Sequence, residues 1–117
     1  MPNFTRSTSL NVIRNALEDM KSQDMMVLDV KDITSVTDYM IIVSGTSTQH
    51  LRSIANHARS EAKKHQLSVV GSEGEDSAEW ILLDFGDVIV HAMLPEVRSY
   101  YELEKLWSVE PIQAVSA

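Results

Sequence analysis

Residues 78–94 read AEWILLDFGDVIVHAML. Two runs rich in β-branched and large apolar residues flank Gly86-Asp87. Glycine at the first of two central positions is the mark of a two-residue type II′ hairpin, in which that residue takes a positive φ. Such a turn fixes the register of the strands it joins. Phe85 then stands opposite Val88, Leu83 opposite Val90 and Ile81 opposite Ala92, so one face of the hairpin is wholly apolar and belongs in the core. The other face pairs Asp84 with Ile89, Leu82 with His91 and Trp80 with Met93. Two readings of that mixed face stand side by side. A helix covers and buries it, or it is an exposed apolar patch with polar groups beside it, the composition of a protein-docking surface.

The same stretch spells D-F-G, the letters around the magnesium-binding aspartate of protein kinases. A kinase also needs a Gly-rich phosphate loop, a strand lysine and an H-R-D loop. None of these occurs in the 117 residues. As a metal site, Asp84, Asp87 and His91 do not converge readily: Asp87 sits in the turn, and the other two are offset along the ladder. His50 and His57 are seven apart, two helical turns, too far for one ion without further ligands.

Outward from the hairpin, Pro95 suits the first turn of a helix, and the spacing predicts that helix from there to about Trp107. Upstream, SVVGS (68–72) predicts a short third strand and EGEDS (73–77) an acidic loop. Residues 46–66 predict a helix with a capping box at Thr46 and Gln49 and an apolar stripe of Leu51, Ile54, Ala55, Ala58 and Ala62. SGTS (44–47) joins a strand end to this helix. It has one glycine and no P-loop lysine, so a capped helix start is its plainest reading. YMIIVSG (39–45) and MMVLDV (25–30) predict strands, separated by a loop over 31–38. Leu10, Ile13, Leu17 and Met20 predict a first helix from Ser9 to about Gln23. The expected order is α-β-β-α-β-β-β-α: a mixed α/β or α+β fold with a sheet of about four to five strands and helices packed on it. Residues 9–108 form a single expected domain, with loose ends over 1–8 and 109–117.

The chain is 44% hydrophobic, enough for a real core. Its 10 basic and 17 acidic residues give a net charge of −7, with a pI near 4.9. That balance argues against binding bare nucleic acid, which needs clustered Lys and Arg, and favours a basic protein partner. The absence of cysteine excludes disulfides, thiol catalysis and cysteine-ligated zinc, and suits a reducing compartment. No apolar run has the length of a membrane span, and Met1 to Ser9 lacks a signal-peptide core. The expectation is a cytoplasmic protein with no membrane attachment.

Four blocks, VLDV (27–30), TDYMIIVSGTSTQH (37–50), WILLDFGDVIVHAMLPEV (80–97) and YYELEKLW (100–107), occur in the order and at the spacing of the Iojap family of ribosomal silencing factors. The resemblance covers about Leu10 to Trp107. It implies a nucleotidyltransferase-like fold without catalysis, cofactor or metal. In those enzymes a Gly-Ser turn is followed by a D-x-D pair that holds magnesium, whereas residues 48–60 here contain no Asp or Glu. It also implies binding to the large ribosomal subunit through ribosomal protein L-fourteen, which sterically blocks joining of the small subunit and represses translation in starvation or stationary phase. A role in large-subunit assembly, or less readily a nucleotidyltransferase-like activity, stays open, as does a homodimer of the free protein. The expected docking surface is the outward hairpin face: Trp80, Leu82, Ile89 and Met93 at the centre, with Asp84 and His91 as polar partners. Tyr100 and Glu104 on the last helix are the next candidates.

Overall fold

The computed structural model describes residues 4–101. The elements follow the expected order: α1 (Phe4–Asp19), β1 (Gln23–Asp29), β2 (Tyr39–Ser44), α2 (Thr48–Lys64), β3 (Gly71–Glu73), β4 (Trp80–Asp84), β5 (Val88–Met93) and α3 (Pro95–Tyr101). The five strands form one sheet in the order β1-β2-β5-β4-β3. Only β2 and β5 run parallel, Tyr39 opposite Val88 through Ser44 opposite Met93. The other neighbours are antiparallel.

The hairpin has the expected register, with Asp84 opposite Ile89, Leu82 opposite His91 and Trp80 opposite Met93. The Phe85 N–H donates to the Val88 carbonyl at 2.9 Å. Gly86 has φ +89, as expected, but the Asp87 N–H donates to the Phe85 carbonyl at 3.2 Å, so the tip closes as a γ-turn about Gly86 rather than by the type II′ bond from Val88 to Phe85. Each letter of D-F-G has a structural role. The Asp84 carboxylate accepts the Gly86 N–H at 2.8 Å, Phe85 is buried in the core, and Gly86 supplies the positive φ. The Asp87 carbonyl then accepts the N–H groups of Asp38 and Tyr39 at 3.1 and 3.0 Å, which ties the turn to the loop before β2.

The apolar hairpin face packs under α1 and α2. Ile81, Leu83, Phe85, Val88, Val90 and Ala92 share one core with Ile13 and Leu17 of α1 and the expected α2 stripe. Both helices end in the same way. Lys21 and Gln66 have positive φ. The N–H of the next residue reaches back to Leu17 or Ala62, and Lys21 and Gln66 themselves bond to Glu18 and Lys63. These are Schellman ends with a non-glycine residue at the left-handed position.

Four local expectations differ, the first being the third strand, which spans Gly71–Glu73 rather than 68–72. α1 begins at Phe4 rather than Ser9. No Gly or Pro interrupts residues 4–9, and Ser9 is buried rather than placed as a cap. α1 also ends at Asp19, short of Gln23, because Lys21 turns the chain. The N-cap of α2 is Ser47, whose side chain accepts the His50 N–H, so no Thr46–Gln49 capping box forms. Thr46 instead donates its N–H to His50 Nδ1 at 2.9 Å. The expected extension of the last helix to Trp107 lies outside the described residues. No described helix is long and apolar enough to cross a membrane.

Candidate interaction face

The second face of the sheet carries Met26, Leu28, Met40, Ile42 and Ser44 beside the outward residues of β4 and β5. A smaller apolar cluster forms there from Leu28, Val30, Met40, Ile42 and Met93, with Met26, Trp80 and Val97 packed against it. α3 crosses this side. Val97 joins the cluster, while Arg98 donates to the Asp24 carbonyl at 2.6 Å and to Ser44 Oγ at 3.1 Å.

The structure therefore divides the expected docking residues. Met93 is 0% exposed, and Ile89 and His91 are each 8% exposed. The reason is the position of β5, a central strand with β2 on one side and β4 on the other, so its outward side chains are hemmed in by Met40, Ile42 and Val97. Trp80, Leu82 and Asp84, one strand nearer the edge, are half-buried. Tyr100 is 80% exposed. Glu104 lies outside the described residues. Of the expected centre, Trp80 and Leu82 are accessible, whereas Ile89 and Met93, together with His91, are corrected to a buried floor beneath them.

His91 links the floor to the surface. The Trp80 indole N–H donates to His91 Nδ1 at 2.9 Å, and the two rings meet at 57° with centroids 5.8 Å apart. An Nδ1 that accepts a hydrogen bond marks a neutral imidazole. Burial agrees, pushing the His91 pKa down from its ordinary 6.5 to about 4; desolvation disfavours the cation, and no carboxylate offsets it.

Beside Trp80 the surface opens into a groove of about 440 Å³, lined by Ser77, Glu79, Trp80, Glu96, Val97 and Tyr100. The wall formed by residues 74–79 is firmly held. Arg52 of α2 donates to the carbonyls of Glu75 and Asp76, Arg59 pairs with the Glu75 carboxylate, and Ser72 Oγ donates to the same carboxylate. Ala78 is fully buried at φ +54, and Gly74 has φ +87. The Leu94 N–H donates to the Glu79 carbonyl at 3.0 Å, which joins this wall to the start of α3. Sequence reasoning missed Ser77, Glu79 and Glu96 as members of the site. The one available signal was an acidic loop running directly into Trp80.

The other chemical candidates are engaged elsewhere. His50 accepts from Thr46 at Nδ1 and meets the Met20 carbonyl through Nε2 at 2.7 Å. His57 pairs with Asp19 at 3.2 Å, so both histidines tie α2 to α1. The SGTS turn directs its N–H groups to the protein's own acceptors, Gly45 to Met93 and Thr46 to His50. Among the described residues no three His, Asp or Glu side chains group to hold a metal ion.

The family model described as "Ribosomal silencing factor during starvation" matches residues 4–116. The chain is 45% identical over 103 residues to the ribosomal silencing factor RsfS of Chromobacterium violaceum, covering 87% of this chain and 84% of that protein. It is 36% identical over 103 residues to the mouse protein named "Mitochondrial assembly of ribosomal large subunit protein 1"; the match takes in 86% of this chain and 45% of the mouse one. A crystal structure of a Chromobacterium violaceum protein superposes with a TM-score of 0.86 at 40% identity, covering 89% of this chain and 87% of that one. A family-model match over residues 4–116, 45% identity to a ribosomal silencing factor and a superposition at TM-score 0.86 leave one assignment: the chain belongs to the ribosomal silencing factor family.

Proposed function

We propose that this protein binds the large ribosomal subunit through ribosomal protein L-fourteen and, seated there, blocks the small subunit from joining, which represses translation when nutrients fail. The observation that carries the reading is the Trp80 surface. A large aromatic side chain stands half-buried among Val97, Tyr100 and the groove's polar residues, with its indole N–H held by His91. Rigid aromatic residues on a preformed patch are the common hot spots of protein interfaces. Leu82 extends the apolar surface, and Asp84 sits beside it with a carboxylate suited to a basic partner. The net charge of −7 favours encounter with a basic ribosomal protein. The mechanism is steric and needs no catalysis, cofactor or metal. Its site of action is the cytoplasm.

A second reading, assistance in large-subunit assembly, is favoured by the name of the mouse relative. It uses the same contact at an earlier moment in the life of the subunit.

The test is binding to isolated large subunits, followed by a subunit-joining assay. Trp80→Ala, with its fold verified by circular dichroism, is expected to weaken binding by about 2 kcal/mol or more and to release the block on joining. A folded Trp80→Ala protein that blocks joining at wild-type concentrations refutes this face as the interface. Binding without any effect on joining favours the assembly reading.

A further inference from the structure

The groove beside Trp80 has a composition that the docking reading alone does not explain. Among the described residues its lining holds two carboxylates and no cation, together with two aromatic rings and one aliphatic side chain. Glu79 stands on the wall held by α2, and Glu96, in the first turn of α3, lines the same groove. Both glutamates are exposed at the rim.

We propose that this groove receives one arginine or lysine side chain of the partner protein, an inference that rests on the docking reading above. The aliphatic stem lies against Val97 and the rings of Trp80 and Tyr100, and the cationic head is held between Glu79 and Glu96. Each part has a physical reason. Indole and phenol rings attract a cation over their faces. Long basic side chains cover apolar surface with their methylenes while the head stays polar. Two carboxylates at the rim accept charge-assisted hydrogen bonds, which a guanidinium donates as a planar fork. The walls are set in advance, one by Arg52 and Arg59 through the Glu75–Asp76 segment, the other by Arg98 through Asp24 and Ser44. Little ordering is left for the moment of binding.

The test compares two double variants of the full chain that lose the same charge. Glu79→Gln with Glu96→Gln alters the groove. Glu18→Gln with Glu61→Gln alters α1 and α2 on the opposite side of the sheet, where these residues pair with Arg14 and Lys64. Both are titrated against isolated large ribosomal subunits at about 0.1 M salt and again at several-fold higher salt. The groove variant is expected to bind about tenfold more weakly at the lower salt, with the gap narrowing as salt rises. The control is expected to stay within about twofold. Equal binding by the groove variant and wild type, alongside a weakened Trp80→Ala, overturns the basic-side-chain seat while leaving the docking face intact. Equal weakening of both double variants also overturns it, since overall charge would then account for the effect. Failure of the wild type to bind large subunits overturns the docking reading and this inference together.

Discussion

His91 offers a test of the buried floor beneath Trp80 that needs no partner. Its imidazole is buried and neutral, with a pKa of about 4 against an ordinary 6.5. In the unfolded chain the ring protonates normally, so as pH falls below 6.5 the unfolded state takes up a proton that the folded state refuses. His91 therefore leaves stability intact above about pH 6.5 and lowers it progressively towards pH 4. Between about pH 7.5 and about pH 5.5 the linkage amounts to roughly 1.4 kcal/mol, because the unfolded ring is then about 90% protonated. That figure hardly depends on the folded value, since any folded pKa below about 4.5 gives nearly the same loss. Urea unfolding at the two pH values, for wild type and His91→Asn, isolates the effect. The amide oxygen of Asn can stand in for Nδ1 as acceptor of the Trp80 indole proton but does not titrate, and the other three histidines cancel in the difference. The wild type should lose about 1.4 kcal/mol more than the variant on acidification. Equal losses in the two proteins would mean that His91 is hydrated in the folded state, and the buried floor beneath Trp80 would fall with it.

Two glycines make further predictions with different physical causes. A Cβ at Gly74 would sit 2.0 Å from the Trp80 carbonyl oxygen at φ +87, so Gly74→Ala should destabilise by about 2 kcal/mol or more; an unchanged urea midpoint would refute the described path of residues 74–79. At Gly86 a Cβ meets only Val70 Cγ2 at 3.9 Å, with φ +89. Gly86→Val should therefore lose about 1–3 kcal/mol to backbone strain alone, and Gly86→Asn clearly less. Equal thermal melts for the two variants would show that positive φ is not what the turn demands.

Much of the fold was legible because its signals are local. The β4–β5 register followed from two turn residues and strict alternation, and the α2 stripe followed from helical spacing. The end of α1 was harder to read, because its left-handed residue is Lys21 rather than glycine. Strand neighbours outside the hairpin were not legible. Nothing near Tyr39 states that it lies opposite Val88, and that pairing decides which side chains of β5 are hemmed in. For this reason the outward face was identified correctly as a set, while Ile89, His91 and Met93 were expected at its surface and lie in its floor. The groove was missed because its walls come from a loop and a helix that meet only in the folded chain.

The parallel pairing of β2 with β5 joins residues 49 positions apart, as Tyr39 and Val88 show. The β4–β5 hairpin closes over two residues. Loop-closure entropy favours the short closure, and chains dominated by distant pairings fold slowly. The hairpin is thus expected to acquire its ladder early, with β2 docking against it later; pulsed hydrogen exchange would refute this order if β2 amides were protected first. Before β2 docks, Met93 and Ile89 lie open beside Trp80 as a continuous sticky stripe on a nascent edge. The residues that later form the floor beneath Trp80 are then a hazard for aggregation during synthesis, and completing the central pairing removes it.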